Sequence, residues 1–526
     1  MNDLVYVPLD ERPCNYEYPA ALARIGELPL TSPPLHLLGN KKRPADTTGI
    51  MNWLIESAQD ANDLVVSIDM LVYGGIVPSR LHHHTEEECL QRLSILRELK
   101  AAHPSLRIHA FNLIMRTPSY NSDDEEPAYY EQHGESIYRY SWLSDKRTYG
   151  ELPASEQAEW ERLHTVIPQA VLTEHLQRRS VNAFINEASV KFVHEGIIDT
   201  LIIPLDDNAE YGFTASERNK LIVLADSLNL SDRIHIYPGA DEVGCTLIAR
   251  VFCERRSYRP ELFTRYSSTL GPTIIPCLED RTLGESIKSQ VIAAGGLLAD
   301  NSHEADFILM VHSPAAGQNA VADAASPLSS RHRSYFSEVN IREFAAAIQN
   351  YMDKGRTVAL ADVAALNGSD QSLMQLLSRL GLLSRLQAYA GWNTSGNTLG
   401  TVIAHGIIES YYSRPATGES VDRMAKSRAF LIARLIEDWG YQAIVRSRTL
   451  HEHLPLLGGN YFNVAECYDA VTELVRDQLK AFVHTYLQDL QPERIEIHDV
   501  RMPWKRMFEV GFQVSLTDSP VENSFS

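Results

Sequence analysis

Cysteine is scarce in this sequence. Six are spread over 526 residues, at Cys14, Cys89, Cys245, Cys253, Cys277 and Cys467, and no two form a CxxC pair. That spacing argues against a disulfide framework and against a structural zinc site built on thiolates. Basic residues are also short: 48 Lys and Arg face 68 Asp and Glu, for a net charge of −20. A surface of that sign disfavours non-specific nucleic-acid binding and docking on anionic membranes. No apolar run approaches the ~18 residues of a membrane-spanning helix. The stretch "MNDLVYVPLDERP" has no basic region followed by an apolar core, so no signal peptide is expected and the cytoplasm is the expected compartment.

Several familiar motifs are missing as well. There is no GxxxxGK[ST], no GxGxxG after a strand, no GxSxG and no HExxH. Each absence disfavours one chemistry: P-loop phosphate binding, dinucleotide binding, a serine nucleophile elbow and a helical zinc site. "LHHHTEEEC" places His82 to His84 at an expected helix start, where solvated histidines are the expectation.

What is present is the material of a folded protein. Hydrophobic residues make up 44% and charged residues 22%. The length implies two or three domains. Short apolar runs alternate with helical patterns, the signature of a parallel α/β architecture. Strands are expected near 4–9, 64–69, 108–115, 200–205 and 233–238, then near 272–277, 296–299, 306–312, 357–362 and 386–391. "LVVSID" and "DTLIIPL" are continuous rather than alternating, as in strands covered on both faces.

The expected organisation is an α/β lobe over 1–262, a second Rossmann-like lobe over 263–425 and a helical C-terminal part over 426–526. A helical insertion, about 121–195, interrupts the first lobe; it is either a surface elaboration or a wall carrying Tyr129, Tyr130, Tyr138 and Trp142. The alternative is one (β/α)8-like barrel with accessory segments. "AAGQNAVADAASPLSSRHRS" is expected to be a mobile loop, and the tail "TDSPVENSFS" to be disordered. In "YDAVTELVRDQLKAFVHTYLQDL", helical spacing puts Val471, Leu474, Val475, Leu479, Phe482, Val483, Tyr486 and Leu490 on one face.

In parallel sheets, sites form where strands end at their carboxyl side. Here those ends are polar: Asp10 and Arg12; Asp69, Tyr73 and Arg80; Arg116; Asp206, Asp207 and Asn208; Asp241 and Glu242. Later ends supply Asp362 and Asn367, then Trp392, Asn393 and Asn397. A single Asp after a strand often caps the next helix, for about 1 kcal/mol. A set of them on one rim points instead to a shared polar pocket.

Carboxylates suit acid–base work, because one can be held protonated while another stays ionised. Asp206 and Asp207 are therefore the first catalytic candidates, followed by Asp10, Asp69 and Asp241. Arg12, Tyr73, Arg80, Arg116, Asn208, Glu242, Asp362, Asn367, Trp392, Asn393 and Asn397 are candidates for substrate binding. Within a strand, neighbouring side chains point to opposite faces, so both aspartates reach one pocket only if the strand has ended by Leu205.

"VPLDERPCNYEYP", "VSIDMLVYGGIVPSR", "IPLDDNAEYG", "YPGADEVG", "ADVAALNGSD", "YAGWNTSGNTLG" and "MPWKRMFEV" together resemble a bacterial family known only as a domain of unknown function, DUF4127, over nearly the whole chain. The resemblance implies a cytoplasmic bacterial protein of about this length and supplies no reaction. The residues themselves lead to a carboxylate-based hydrolase acting on a glycoside or related polar small molecule, with no cofactor. Two alternatives remain. One is a divalent-metal enzyme with Asp10, Asp69, Asp206, Asp207 and Asp241 as oxygen ligands; the other is a non-catalytic sensor of a sugar or metabolite.

Overall fold

The run Leu4–Val7 (β1) is apolar and buried at every position. It is the first of six parallel strands, followed by Leu30–Thr31 (β2), Asp63–Ser67 (β3), Arg107–Phe111 (β4), Thr200–Leu205 (β5) and Ile234–Pro238 (β6), in the spatial order β2-β1-β3-β4-β5-β6. The structure is a computed structural model that describes residues 4–316, 323–415, 418 and 420–517. The chain divides into two compact units. The first comprises Met1–Ala23, Leu28–Val251 and Leu278–Ala293; the second comprises Arg24–Glu27, Phe252–Cys277 and Ala294–Ser526.

In the first unit, alternate strand residues Val5, Val7, Leu64, Val66, Ile108, Ala110, Leu201 and Ile203 pack on Ile50, Leu54, Leu93, Leu96, Ile185, Phe192 and Leu221 of the helices. The residues between them, Tyr6, Val65, Phe111, Ile202 and Tyr237, are buried as well. Covering both faces removes any pressure for polar alternation, hence the continuous apolar runs. The strand order reverses after β2, leaving a crevice between the carboxyl ends of β1 and β3.

The second unit has five parallel strands: Glu261–Tyr266 (β7), Leu297–Leu298 (β8), Phe307–His312 (β9), Val358–Asp362 (β10) and Ala388–Ala390 (β11), in the order β11-β10-β9-β7-β8. Counted from the β8 edge, these five strands repeat the order of the first five in the other sheet. An antiparallel pair, Ile495–Arg501 (β12) and Gly511–Leu516 (β13), follows. The C-terminal helices share this unit's core, where Leu431, Trp439, Val475 and Phe482 pack with Ile308, Leu360 and Tyr389. On the helix Tyr468–Tyr486, the spacing-derived face is largely the buried one, through Val471, Val475, Leu479, Phe482 and Val483.

The two sheets are open and separate, so the fold is the two-lobe α/β arrangement rather than a barrel. Three strands differ from the sequence expectation. No strand forms near 272–277, where a short turn Gly271–Thr273 stands; Pro272 and Pro276 lack the N–H groups that a ladder needs. β7 forms upstream instead, at "ELFTRY", whose exposed and half-buried Glu261, Thr264 and Arg265 hid it among polar sequence. β2, at two residues, is too short to leave a pattern.

The 121–195 segment forms helices Tyr130–Lys146, Ala154–Val166 and Gln169–His194. They have a small core of their own around Tyr130, Ile137, Tyr140, Leu143, Leu163 and Leu172. His82 departs from the expectation of solvated histidines. It is buried, bonded through Nε2 to Asn182 Oδ1 at 2.6 Å, and burial lowers its pKa to about 4. The helix begins after it, at Glu86, behind a capping box of Thr85 and Glu88. Part of the Ala/Ser-rich loop, 317–322, and the tail after Thr517 lie outside the described residues.

Candidate functional site

β5 ends at Leu205, and Asp207 then takes a left-handed backbone conformation with φ of 44°. Few residues other than glycine tolerate that region, and Asp is among them. The turn brings both aspartates to the same arginine. Asp207 Oδ2 accepts from Arg116 Nη1 at 3.0 Å, and Asp206 Oδ2 lies 3.8 Å from the same nitrogen. Asp206 Oδ2 also accepts from Arg80 Nη2 at 2.8 Å. Strand alternation, which would have parted the two carboxylates, is thus undone by one residue of backbone.

Two acids absent from the sequence-derived candidates complete the cluster. Glu125 Oε2 accepts from Arg80 Nη1 at 3.0 Å and from Arg116 Nη2 at 3.1 Å. Glu126 Oε1 accepts from Arg116 Nε at 2.8 Å and from Arg80 Nη1 at 3.3 Å. Two guanidiniums therefore serve four carboxyl groups, a formal excess of two negative charges when all are ionised. Burial, reinforced by Asp207 and opposed by Arg116 and Arg80, raises the Asp206 pKa to about 6. The buried side chain of Asn208 has no hydrogen-bond partner at either end of its amide among the described residues, and Glu126 Oε2 has none either.

The loops that hold this cluster are pinned from behind by the long insertion helix. Arg179 Nη1 donates to Arg116 O at 3.3 Å and to Thr117 Oγ1 at 3.0 Å. Asn182 Nδ2 donates to Ser79 O at 2.9 Å, and Asn186 Nδ2 to Leu113 O at 3.0 Å. Asp69 is buried and accepts the Leu113 N–H at 2.9 Å, tying the ends of β3 and β4; burial raises its pKa to about 6, partly offset by those hydrogen bonds and by Arg80. The insertion thus contributes two acids to the rim at its start and a support behind it through its last helix.

The remaining first-unit candidates are engaged elsewhere. Arg12 Nη2 lies 2.6 Å from both Asp10 Oδ2 and Asp241 Oδ1, and Asn15 Nδ2 reaches the same two carboxylates at 3.1 and 2.9 Å. This clamp joins the loops after β1 and β6, and Asp241 acts electrostatically on Asp206. Tyr73 lies in the core, stacked on His82 at 4.5 Å, and not on the rim. Glu242 is fully buried, accepts the Ala240 N–H at 2.8 Å, and has its pKa pushed up to about 8 by burial. It is a buried loop brace rather than a surface ligand-binding group.

The other candidates belong to the second unit, so the sixteen residues do not form one rim within either unit. Asp362 ends β10, accepts the Asp370 N–H at 2.7 Å and has its pKa raised by burial to about 6. Asn367 and Asn393 are both left-handed, with φ of 55° and 52°, and are joined by a backbone hydrogen bond of 2.9 Å. Trp392 is a core residue whose Nε1 donates to Thr401 Oγ1 at 3.3 Å. Asn397 is buried in the first turn of the helix Ser395–Tyr412, which Thr394 caps. His312 and Asp438 were not singled out from sequence. His312 Nε2 lies 3.5 Å from Asp370 Oδ2; Asp438 sits in a π-helical stretch, Leu435–Val445, with its pKa raised by burial to about 7.

The sequence profile of the DUF4127 family, described as protein of unknown function, matches residues 4–513. The chain belongs to that family. No curated protein and no solved structure matches it.

Membership spans both units, so the rim of the first and the buried acids of the second are parts of one family architecture. The acids at Glu125 and Glu126 were hidden in "NSDDEEP", a charge run that resembles a solvated loop.

Proposed function

We propose that the rim of the first unit is the active site of a carboxylate-dependent hydrolase acting on a glycoside or a related polar small molecule. The observation that carries this reading is the pair Asp206 and Asp207. They are adjacent in sequence, converge on Arg116, and Asp206 has its pKa held near 6 by burial and by its neighbour's charge. A carboxyl group in that range keeps a protonated fraction closer to neutral pH than an ordinary aspartate does, and that fraction can deliver its proton to a leaving oxygen. Asp207, hydrogen-bonded to Arg116, stabilises positive charge developing on the substrate or acts as base. Arg80 and Arg116 hold both carboxylates at fixed positions through charge-assisted hydrogen bonds. Asn208 offers an unsatisfied amide beside them, suited to a substrate hydroxyl.

The test is a panel of aryl and alkyl glycosides assayed with the native protein, Asp206→Asn and Asp207→Asn. Loss of the proton donor should impair poor alkyl leaving groups far more than activated aryl ones, since general-acid catalysis contributes about 10²–10⁴-fold where it is needed. Asp207→Asn should impair both classes. No turnover of any substrate, or equal turnover by Asp206→Asn on the alkyl series, overturns the assignment. Activity retained in EDTA separates this chemistry from a divalent-metal mechanism.

A further inference from the structure

The reversal of strand order in the second unit leaves a crevice between β7 and β9, the place where open parallel sheets bind ligands. The loop leaving β9 brings Arg331 to a cavity of about 220 Å³ lined also by Ser326, Leu328, Asp370, Ser372 and Gln375. That volume corresponds to about seven water molecules at ~30 Å³ each. Arg331 is 92% buried, since only 8% of it is exposed. Among the described residues, its Nη1 has no hydrogen-bond partner and no carboxylate lies within 4.0 Å of its guanidinium.

The nearby groups do not supply the missing acceptor. Asp370 is committed to others: Oδ2 accepts from Tyr335 Oη at 2.7 Å and lies 3.5 Å from His312 Nε2, while Oδ1 accepts from Ser372 N at 2.8 Å. The Tyr335 ring is 5.8 Å from Arg331 Cζ, at the outer edge of cation–π range. A guanidinium cannot neutralise itself by losing a proton. Asp370 acts on Arg331 only through space, so an anionic ligand at Nη1 would supply the direct acceptor that the described residues do not.

We propose that this cavity binds a small ligand through an oxyanion group, a carboxylate or a phosphate, held by Arg331. The site is independent of the hydrolytic rim assigned to the first unit. Its polar wall, with Ser372 and Gln375 at the start of the helix Gln371–Arg379, would hold the ligand's uncharged end.

The experiment is titration of the full chain with inorganic phosphate and, in a separate arm, succinate, followed by calorimetry and by melting temperature. Saturable binding is expected in at least one arm, and the arm that responds identifies the oxyanion. Arg331→Gln should weaken it about tenfold to a hundredfold, the loss of one charge-assisted contact. Gln375→Glu, a helix-compatible change that adds a repelling charge to the wall, should weaken it in the same direction. Arg116→Gln, in the first unit, should leave it intact. Absence of saturable binding in both arms, binding that survives Arg331→Gln, or binding lost in Arg116→Gln each overturns the proposal.

Discussion

Asp206→Asn should stabilise the protein at neutral pH while removing the proposed proton donor. The folded chain raises the Asp206 pKa from an ordinary 3.8 to about 6, chiefly by burial and next by the charge of Asp207. A raised carboxylate pKa means that the folded state holds the proton more tightly than the unfolded state. Stability is then greatest below the unfolded pKa and falls as pH rises towards the folded one. At about 1.4 kcal/mol per pH unit, ionised Asp206 costs the fold about 3 kcal/mol above pH ~6. Its side chain is 16% exposed, so solvent screening trims that figure only modestly. Asparagine mimics the protonated acid in shape and charge, so the variant escapes the penalty.

The assay is chemical denaturation of parent and variant at pH 4 and pH 7.5, on either side of the titration window. Asp69, Asp362 and Asp438 also have raised pKa values, and they contribute equally to both proteins, so the difference isolates Asp206. The variant should gain about 2–3 kcal/mol over the parent on going from pH 4 to pH 7.5. A difference independent of pH, or one that favours the parent at pH 7.5, refutes the account of Asp206 as a strained, buried acid.

Three further outcomes follow from neighbouring geometry. Asp207→Ala should destabilise by about 1–2 kcal/mol through the left-handed backbone position, whereas Asp207→Asn should stay within about 0.5 kcal/mol of the parent; denaturation midpoints separate the two. Glu242→Gln should flatten the alkaline side of the stability curve. Its pKa rises from 4.5 to about 8 by burial, so the parent loses stability as pH climbs through that range, by about 5 kcal/mol in all, and the variant does not. Asn186→Ala removes the donor to Leu113 O and to Asn112 Oδ1; it should cost about 2–3 kcal/mol and should raise KM more than it lowers stability-corrected kcat, since it loosens the loop that carries Arg116.

The sequence alone determined the parallel α/β class and the polar character of the strand ends, while the choice of two lobes over a barrel came from the sheets themselves. Continuous apolar runs such as "DTLIIPL" have few uses other than a strand buried on both faces, and the helical spacing from Val471 to Val483 can bury only one face. The strand ends were legible because a parallel sheet sends them all to one side. The partners of each end were not. Glu125 and Glu126 stand eighty or more residues from Asp206 in a run of charges, and only the packing of two loops against Arg80 and Arg116 gives them a role. Asp10 and Asp241 have the same residue type as Asp206, yet Arg12 locks them into a buried clamp. Whether an aspartate is a brace or an acid depends on its solvent and its counter-charges, and both are set by residues distant in the chain. That Asp206 and Asp207 both approach Arg116 likewise depends on one backbone angle at Asp207, a quantity that the fold imposes and the residue type merely permits.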